Sequence, residues 1–190
     1  MKIISQNDKN AISSALAVLN SGGIIVYPTD TLYGFGADAT NDAAVDKINN
    51  IKGRSGSMSV IAAHKNMALE WMNITSDKIK IIDSYLGGAK TLIVSVKSGI
   101  ASTKILGEKN TLGIRIPDNH FCNELSLHFS RPIISTSVNR SGEIPMNDPK
   151  MIALEFSSAV DLLIDAGTLA YSKGSTVYQY KDNKIKILRD

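Results

Sequence analysis

Between residues 8 and 20 apolar side chains recur at Ala11, Ile12, Ala15, Leu16, Val18 and Leu19, the spacing of a helix with one buried face. Asn7 or Asp8 can cap that helix, and Gly22-Gly23 stop it. The period then changes. Ile24-Ile25-Val26-Tyr27 is a continuous apolar run ended by Pro28, which predicts a buried strand. Asn41 or Asp42 opens a second helix through Ile51. The pattern next predicts a strand over 58–63, helices over 65–72 and 76–85, and strands over 92–96 and 112–116. A helix over 119–129, a short buried strand over 132–135 and a helix over 149–157 with Pro149 in its first turn follow. Strands over 161–164, 176–180 and 184–188 complete the chain, the last two as a hairpin turning at Asp182-Asn183. Irregular alternation of helices and strands, with no linker, repeat or low-complexity segment, predicts one α/β domain over residues 1–190 built on a mixed sheet.

Composition narrows the class. Apolar residues are 43% and charged residues 21% of 190, ordinary globular usage that excludes a disordered or fibrous chain. The lone cysteine, Cys122, excludes an internal disulfide framework and a cysteine-based zinc site, and points to the cytoplasm. The longest charge-free run, residues 11–29, contains Asn20, Gly22, Gly23, Pro28 and three serines. It reads as two soluble elements, so no membrane span is expected. The first eight residues turn polar too early for a secretory leader, and the sequence stops at Asp190 without a further carboxy-terminal domain being expected. A net charge of +3 permits phosphate or nucleic-acid contact without demanding it. Of the 21 basic residues only five are arginine: Arg54, Arg115, Arg131, Arg140 and Arg189. That scarcity is either sampling or a sign that each guanidinium grips a planar anion.

Common chemical signatures are missing: no G-x-x-x-x-G-K-[ST], G-x-G-x-x-G, H-E-x-x-H or G-x-S-x-G occurs. His64, His120 and His128 show no ligand spacing and read as surface or satisfied interior residues. Polar residues do gather where predicted strands end, the usual place for an α/β site. Residues 28–36, P-T-D-T-L-Y-G-F-G, offer hydroxyls, a carboxylate and flexible backbone, or simply a well-capped turn. Lys52-Gly53-Arg54 is either a polyphosphate clamp or a helix end with favourable positive charge. Arg115 interrupts the apolar strand G-I-R-I-P and faces either solvent or an anion. Residues 135–142, S-T-S-V-N-R-S-G, are dense enough in hydroxyl and amide to hold phosphate or a ribose, or form a polar connection. Ser172-Lys173-Gly174-Ser175-Thr176 and Arg189 are weaker clusters.

Taken together, Y-P-T-D-T-L-Y-G at 27–34, K-G-R at 52–54, G-I-R-I-P at 113–117, S-T-S-V-N-R-S-G at 135–142 and S-T-V at 175–177 resemble the YrdC-like family of threonylcarbamoyl-AMP synthases. The resemblance runs from about Ile12 to Arg189 and implies a twisted mixed sheet, flanked by helices, around a deep cationic cavity. It also implies a nucleotidyltransferase that makes threonylcarbamoyl-adenylate and pyrophosphate from L-threonine, bicarbonate and ATP with magnesium. A separate transferase then uses the product to modify tRNA beside the anticodon, and direct contact with tRNA is an open possibility. By the same resemblance Thr31, Arg115 and Ser137 would hold threonine or its carbamate. Lys52, Arg54, Thr111, Asn139, Ser175 and Arg189 would contact the nucleotide. No side-chain nucleophile and no protein-held metal are implied.

The sequence departs from the family pattern twice. Ser55-Gly56-Ser57-Met58-Ser59 follows K-G-R where the family has a proline and then a polar residue before Pro-Leu, so Met58 takes a place expected to contact nucleotide. Gly88-Ala89-Lys90-Thr91 lacks the proline of the family's G-P-x-T. These departures suit a runner-up reading, a non-catalytic paralogue of the same fold that binds RNA or nucleotide. Carbamoyl-phosphate chemistry in hydrogenase maturation uses the fold too, in larger proteins with zinc and acylphosphatase segments not seen here.

Overall fold

Ten strands form one mixed sheet in the computed structural model, which describes residues 1–190. In chain order they are β1 (Lys2–Ser5), β2 (Ile25–Pro28), β3 (Tyr33–Gly36), β4 (Ser59–Ile61), β5 (Lys90–Ser95), β6 (Thr111–Arg115), β7 (Ile133–Ser137), β8 (Leu162–Asp165), β9 (Thr176–Lys181) and β10 (Lys184–Arg189). Six α-helices accompany them: α1 (Ala11–Asn20), α2 (Asp42–Lys52), α3 (Lys65–Trp71), α4 (Ser76–Ile82), α5 (His120–Phe129) and α6 (Pro149–Phe156). The sheet order is β1-β8-β2-β3-β7-β4-β6-β5-β9-β10. The β1–β8, β8–β2, β4–β6 and β5–β9 pairs are parallel and the others antiparallel.

Side chains alternate across the sheet, and the two faces are used differently. One face carries Val26, Val60, Leu92, Ile114, Ile134 and Leu163, which join Ala44, Val45 and Ile48 of α2 and Ile152 and Phe156 of α6 in a large core. On the other face Ile25, Tyr27, Ile61, Ile133, Leu162 and Ile164 pack under α1 and α5. That apolar cover is partial. Two residues along from Ile61 and Ile133 the same face presents Ser59 and Ser135, paired in register, and then Ser137. Beside them lie Gly113 opposite Ser59, Arg115 opposite Ile61, and Thr91 opposite Val177. Here the sheet turns from oily to hydroxylated, and a cavity replaces the helices.

The predicted elements agree with the structure to within a few residues, including the Asp182-Asn183 hairpin, where both turn residues have positive φ. Two strands were not predicted. β1 is a four-residue edge strand with one buried residue, too short for a period to show. β3 is Tyr-Gly-Phe-Gly, and its glycines read as a loop. They serve packing instead: the Tyr27 ring lies across them, and a Cβ on Gly36 would come within 2.7 Å of Tyr27 Cε1 and 2.8 Å of Ile25 Cγ1. Tyr27 is fully buried and its hydroxyl donates to Ile134 O at 3.2 Å, tying β2 across β3 to β7. Gly36→Ala is therefore expected to destabilise the fold by about 1–3 kcal/mol through overpacking, read as a lower urea midpoint. An unchanged midpoint would contradict this packing.

Candidate functional site

A cavity of about 660 Å³ opens on the hydroxylated half of the face. The β2–β3 turn, the end of α2, the strands β4 to β7, the loop after β7 and the hairpin β9–β10 all contribute to its wall. Its lining includes Lys52, Arg54, Arg115, Lys173 and Arg189 and no aspartate or glutamate. Such a volume suits a small polyanion.

Local sequence explains how each group arrives. Asn41 caps α2 by accepting from the Ala43 and Ala44 amides, and Gly53, at φ 66°, ends it in the left-handed region. This turn puts Lys52 and Arg54 on either side of the glycine. Lys52 is 3% exposed, and its Nζ donates to Ser137 O at 2.8 Å and Asn139 Oδ1 at 2.7 Å. Asn139 is held in turn, its Nδ2 donating to Arg140 O and Glu143 O while Ser137 Oγ donates to its Oδ1 at 2.6 Å. Burial pushes the Lys52 ammonium down to about 8, the Arg54 charge adding to the shift and Glu143 opposing it. The charged form is thus penalised in the folded state, a cost fully present below about 8 and relieved as pH rises toward 10.5.

Opposite, a β-bulge between Ile187 and Arg189 resets the β9–β10 register and brings Arg189 opposite Val177. Its Nη2 donates to Ser175 O at 2.7 Å, and Ser175 Oγ meets Thr91 Oγ1 at 2.7 Å. Gly113 leaves room for the Ser59 side chain of the neighbouring strand, since a Cβ there would lie 2.6 Å from Ser59 Oγ. Arg115, at the end of β6, is 7% exposed and pairs through Nη2 with Asp30, while its buried Nε has no partner. Thr31 stands beside it in a turn knotted by Thr29, whose Oγ1 accepts from the Thr31 and Leu32 amides.

Eight of the nine site residues expected from sequence line this one cavity: Thr31, Lys52, Arg54, Arg115, Ser137, Asn139, Ser175 and Arg189. Thr111 does not. It starts the strand that Arg115 ends, about 13 Å away at ~3.3 Å per residue, and lines an adjoining hollow of about 480 Å³. Ser57, Met58 and Ser59 form the wall common to both hollows, and Met58 is 5% exposed and part of the core. The position expected to be polar is thus an apolar divider. Ser59 and Thr91 also line the cavity, and a serine or threonine on an otherwise apolar strand face is the signal that marks them, whereas Asp30, the carboxylate of the 28–36 cluster, lies outside the wall. The other two arginines lie elsewhere. Arg131 pairs with Asp38 at 3.0 Å over the Phe129 ring, and Arg140 pairs with Glu155 at 3.1 Å.

The profile of the Sua5/YciO/YrdC family, described as "Telomere recombination", matches residues 17–190. The chain belongs to this family. A Methanocaldococcus jannaschii relative provisionally named threonylcarbamoyl-AMP synthase is 38% identical over 175 residues, 91% of this chain and 81% of that protein. Among solved structures, Escherichia coli YciO matches with a TM-score of 0.86 at 24% identity over 100% of this chain and 93% of its own. Pyrococcus abyssi Sua5 complexed with L-threonine matches with a TM-score of 0.87 at 23% identity over 99% of this chain. The chain spans only 56% of that protein's length. At these identities the two structures establish the shared Sua5/YciO/YrdC fold: one sheet with helices against it. No helix is long and apolar enough to cross a membrane.

The low Lys52 value is directly measurable. Lysine 13Cε shifts followed against pH should show one group titrating near 8, missing in Lys52→Met, and moved upward by saturating sulfate, which stabilises the ammonium. All sixteen lysines titrating near 10.5 would contradict the buried, anion-seeking ammonium.

Proposed function

We propose that the protein is an L-threonylcarbamoyladenylate synthase, a nucleotidyltransferase that consumes L-threonine, bicarbonate and ATP. The observation that carries this reading is the cavity wall with five cations and no carboxylate, in a chain 38% identical to a relative bearing that activity in its name. The overall balance is threonine, bicarbonate and ATP giving threonylcarbamoyl-AMP, pyrophosphate and water. The threonine nitrogen bonds to the bicarbonate carbon with loss of water. A carbamate oxygen then attacks the α-phosphorus, and the bond to the pyrophosphate oxygen breaks.

No step needs a side-chain nucleophile, so the protein's part is positioning and charge stabilisation. In this reading the Arg115 guanidinium takes the threonine carboxylate, and Thr31 and Ser137 flank the amino acid or its carbamate. Lys52 and Arg54 face the phosphates from the α2 end, and Asn139, Ser175 and Arg189 complete the nucleotide wall. The nucleotide extends past Met58 toward Thr111, which gives the adjoining hollow a use and Met58 an apolar surface for the base. Both steps pass through anions, and the cationic wall stabilises the charge as it moves to the departing pyrophosphate. Magnesium enters as part of the substrate, on the triphosphate, because the wall offers it only neutral hydroxyl and carbonyl oxygens. The product passes to a separate transferase acting on tRNA, in the cytoplasm.

Purified protein with magnesium and ATP should release pyrophosphate only when threonine and bicarbonate are both present. RNA binding without turnover would instead favour the non-catalytic binder, and ATP turnover indifferent to threonine would overturn the synthase reading. Arg115→Lys keeps a charge for Asp30 but removes the planar fork, and is expected to raise the threonine KM about tenfold with the ATP KM nearly unchanged. Equal effects on both would remove Arg115 from the amino-acid end.

A further inference from the structure

We propose that Asp30 is the positioning residue for Arg115, fixing the guanidinium so that its cavity-lining edge faces the amino-acid carboxylate. The inference rests on the threonine reading above. Asp30 is outside the cavity wall, with its side chain 11% exposed against 8% for that of Arg115. Its two oxygens are divided between two donors: Oδ1 accepts from Arg115 Nη2, and Oδ2 accepts from the Asp118 amide at 3.0 Å. Asp118 lies three residues beyond Arg115, so one carboxylate grips both the guanidinium and the backbone that carries it.

Asp30 is itself braced. Thr29 Oγ1 knots the turn on either side, donating to Leu32 O at 2.8 Å while accepting from two amides. Beneath, the buried Cys122 donates its thiol to Pro28 O at 3.2 Å, and Asn119 caps the helix that carries it by accepting from the Cys122 amide. The backbone on both sides of the carboxylate is therefore tied in place. A buried guanidinium without a counter-charge would be forced toward solvent or a neutral neighbour. With Asp30 on Nη2, the side chain stays in place and leaves a buried N–H with no partner, the one such nitrogen on a cavity-lining side chain. The rest of the guanidinium stays on the cavity wall, where a carboxylate ligand meets a fork already aligned for it.

The discriminating variant is Asp30→Asn, which has one acceptor oxygen and so leaves either Arg115 or the Asp118 amide unmatched. The threonine KM is expected to rise about tenfold, with the ATP KM within about twofold of wild type. In an Arg115→Lys background the same change should have less than about twofold further effect on the threonine KM, because the two residues act as one unit. A purely structural role predicts a lower melting midpoint with the threonine KM unmoved, and that result, or full additivity in the double variant, overturns the proposal. Should Asp30→Asn fail to fold, Asp30→Glu keeps the charge and displaces the guanidinium by one methylene; a threonine KM equal to wild type there overturns it equally. Wild-type protein that releases no pyrophosphate with threonine removes the parent reading, whereas an active wild type matched by Asp30→Asn removes this inference alone.

Discussion

Positive charge held in place without being neutralised is the constraint on which the rest of this structure depends. Lys52 is anchored by a backbone carbonyl and an amide oxygen, and Arg189 by a backbone carbonyl. Neutral acceptors fix where a cation points while leaving its charge for a ligand. Carboxylates would fix it as well and cancel it. Burial, with the repulsion of Arg54 added, pushes the Lys52 ammonium down to about 8. Arg115, the most deeply placed guanidinium, is the exception, and its single carboxylate partner lies behind it.

A rigid platform is needed to hold like charges together, and the sheet supplies one. Lys52 comes from a helix end, Arg115 from a strand end and Arg189 from beyond a bulge, all referred to the same hydrogen-bonded ladder. The face that holds α1 and α5 becomes a cavity because its alternating positions change from Ile61 and Ile133 to Ser59 and Ser135. Small hydroxyls fill little space and solvate anions. Gly113 lets Ser59 and Thr91 close over β6, so the floor is low and polar. Function and fold therefore share one sheet, with packing at one end of a face and ligand space at the other.

Much of this was legible in the sequence, for identifiable reasons. Helices with a clear period and strands with apolar runs announce themselves, and the family resemblance names eight residues that share a cavity. What remained hidden depended on register. Nothing local in Tyr-Gly-Phe-Gly says strand, because its glycines answer to the Tyr27 ring on the neighbouring strand. The resemblance puts Thr111 with Lys52 and Arg54 on the nucleotide, yet it lies two pleats from Arg115 along β6 and lines the adjoining hollow. The partnership of Asp30 with Arg115 joins residues 85 apart and could not be read from either motif. Arg131 and Arg140, the arginines without a role in the motifs, proved to be surface partners of Asp38 and Glu155.

Which cation meets which anion is decided by a crystal structure with threonine and a non-hydrolysable ATP analogue. The triphosphate is expected against Lys52, Arg54 and Arg189, the base beyond Met58 toward Thr111, and the threonine carboxylate on the open edge of Arg115. Ligands bound outside this cavity, or phosphates seated on Arg115 with threonine elsewhere, would contradict this arrangement.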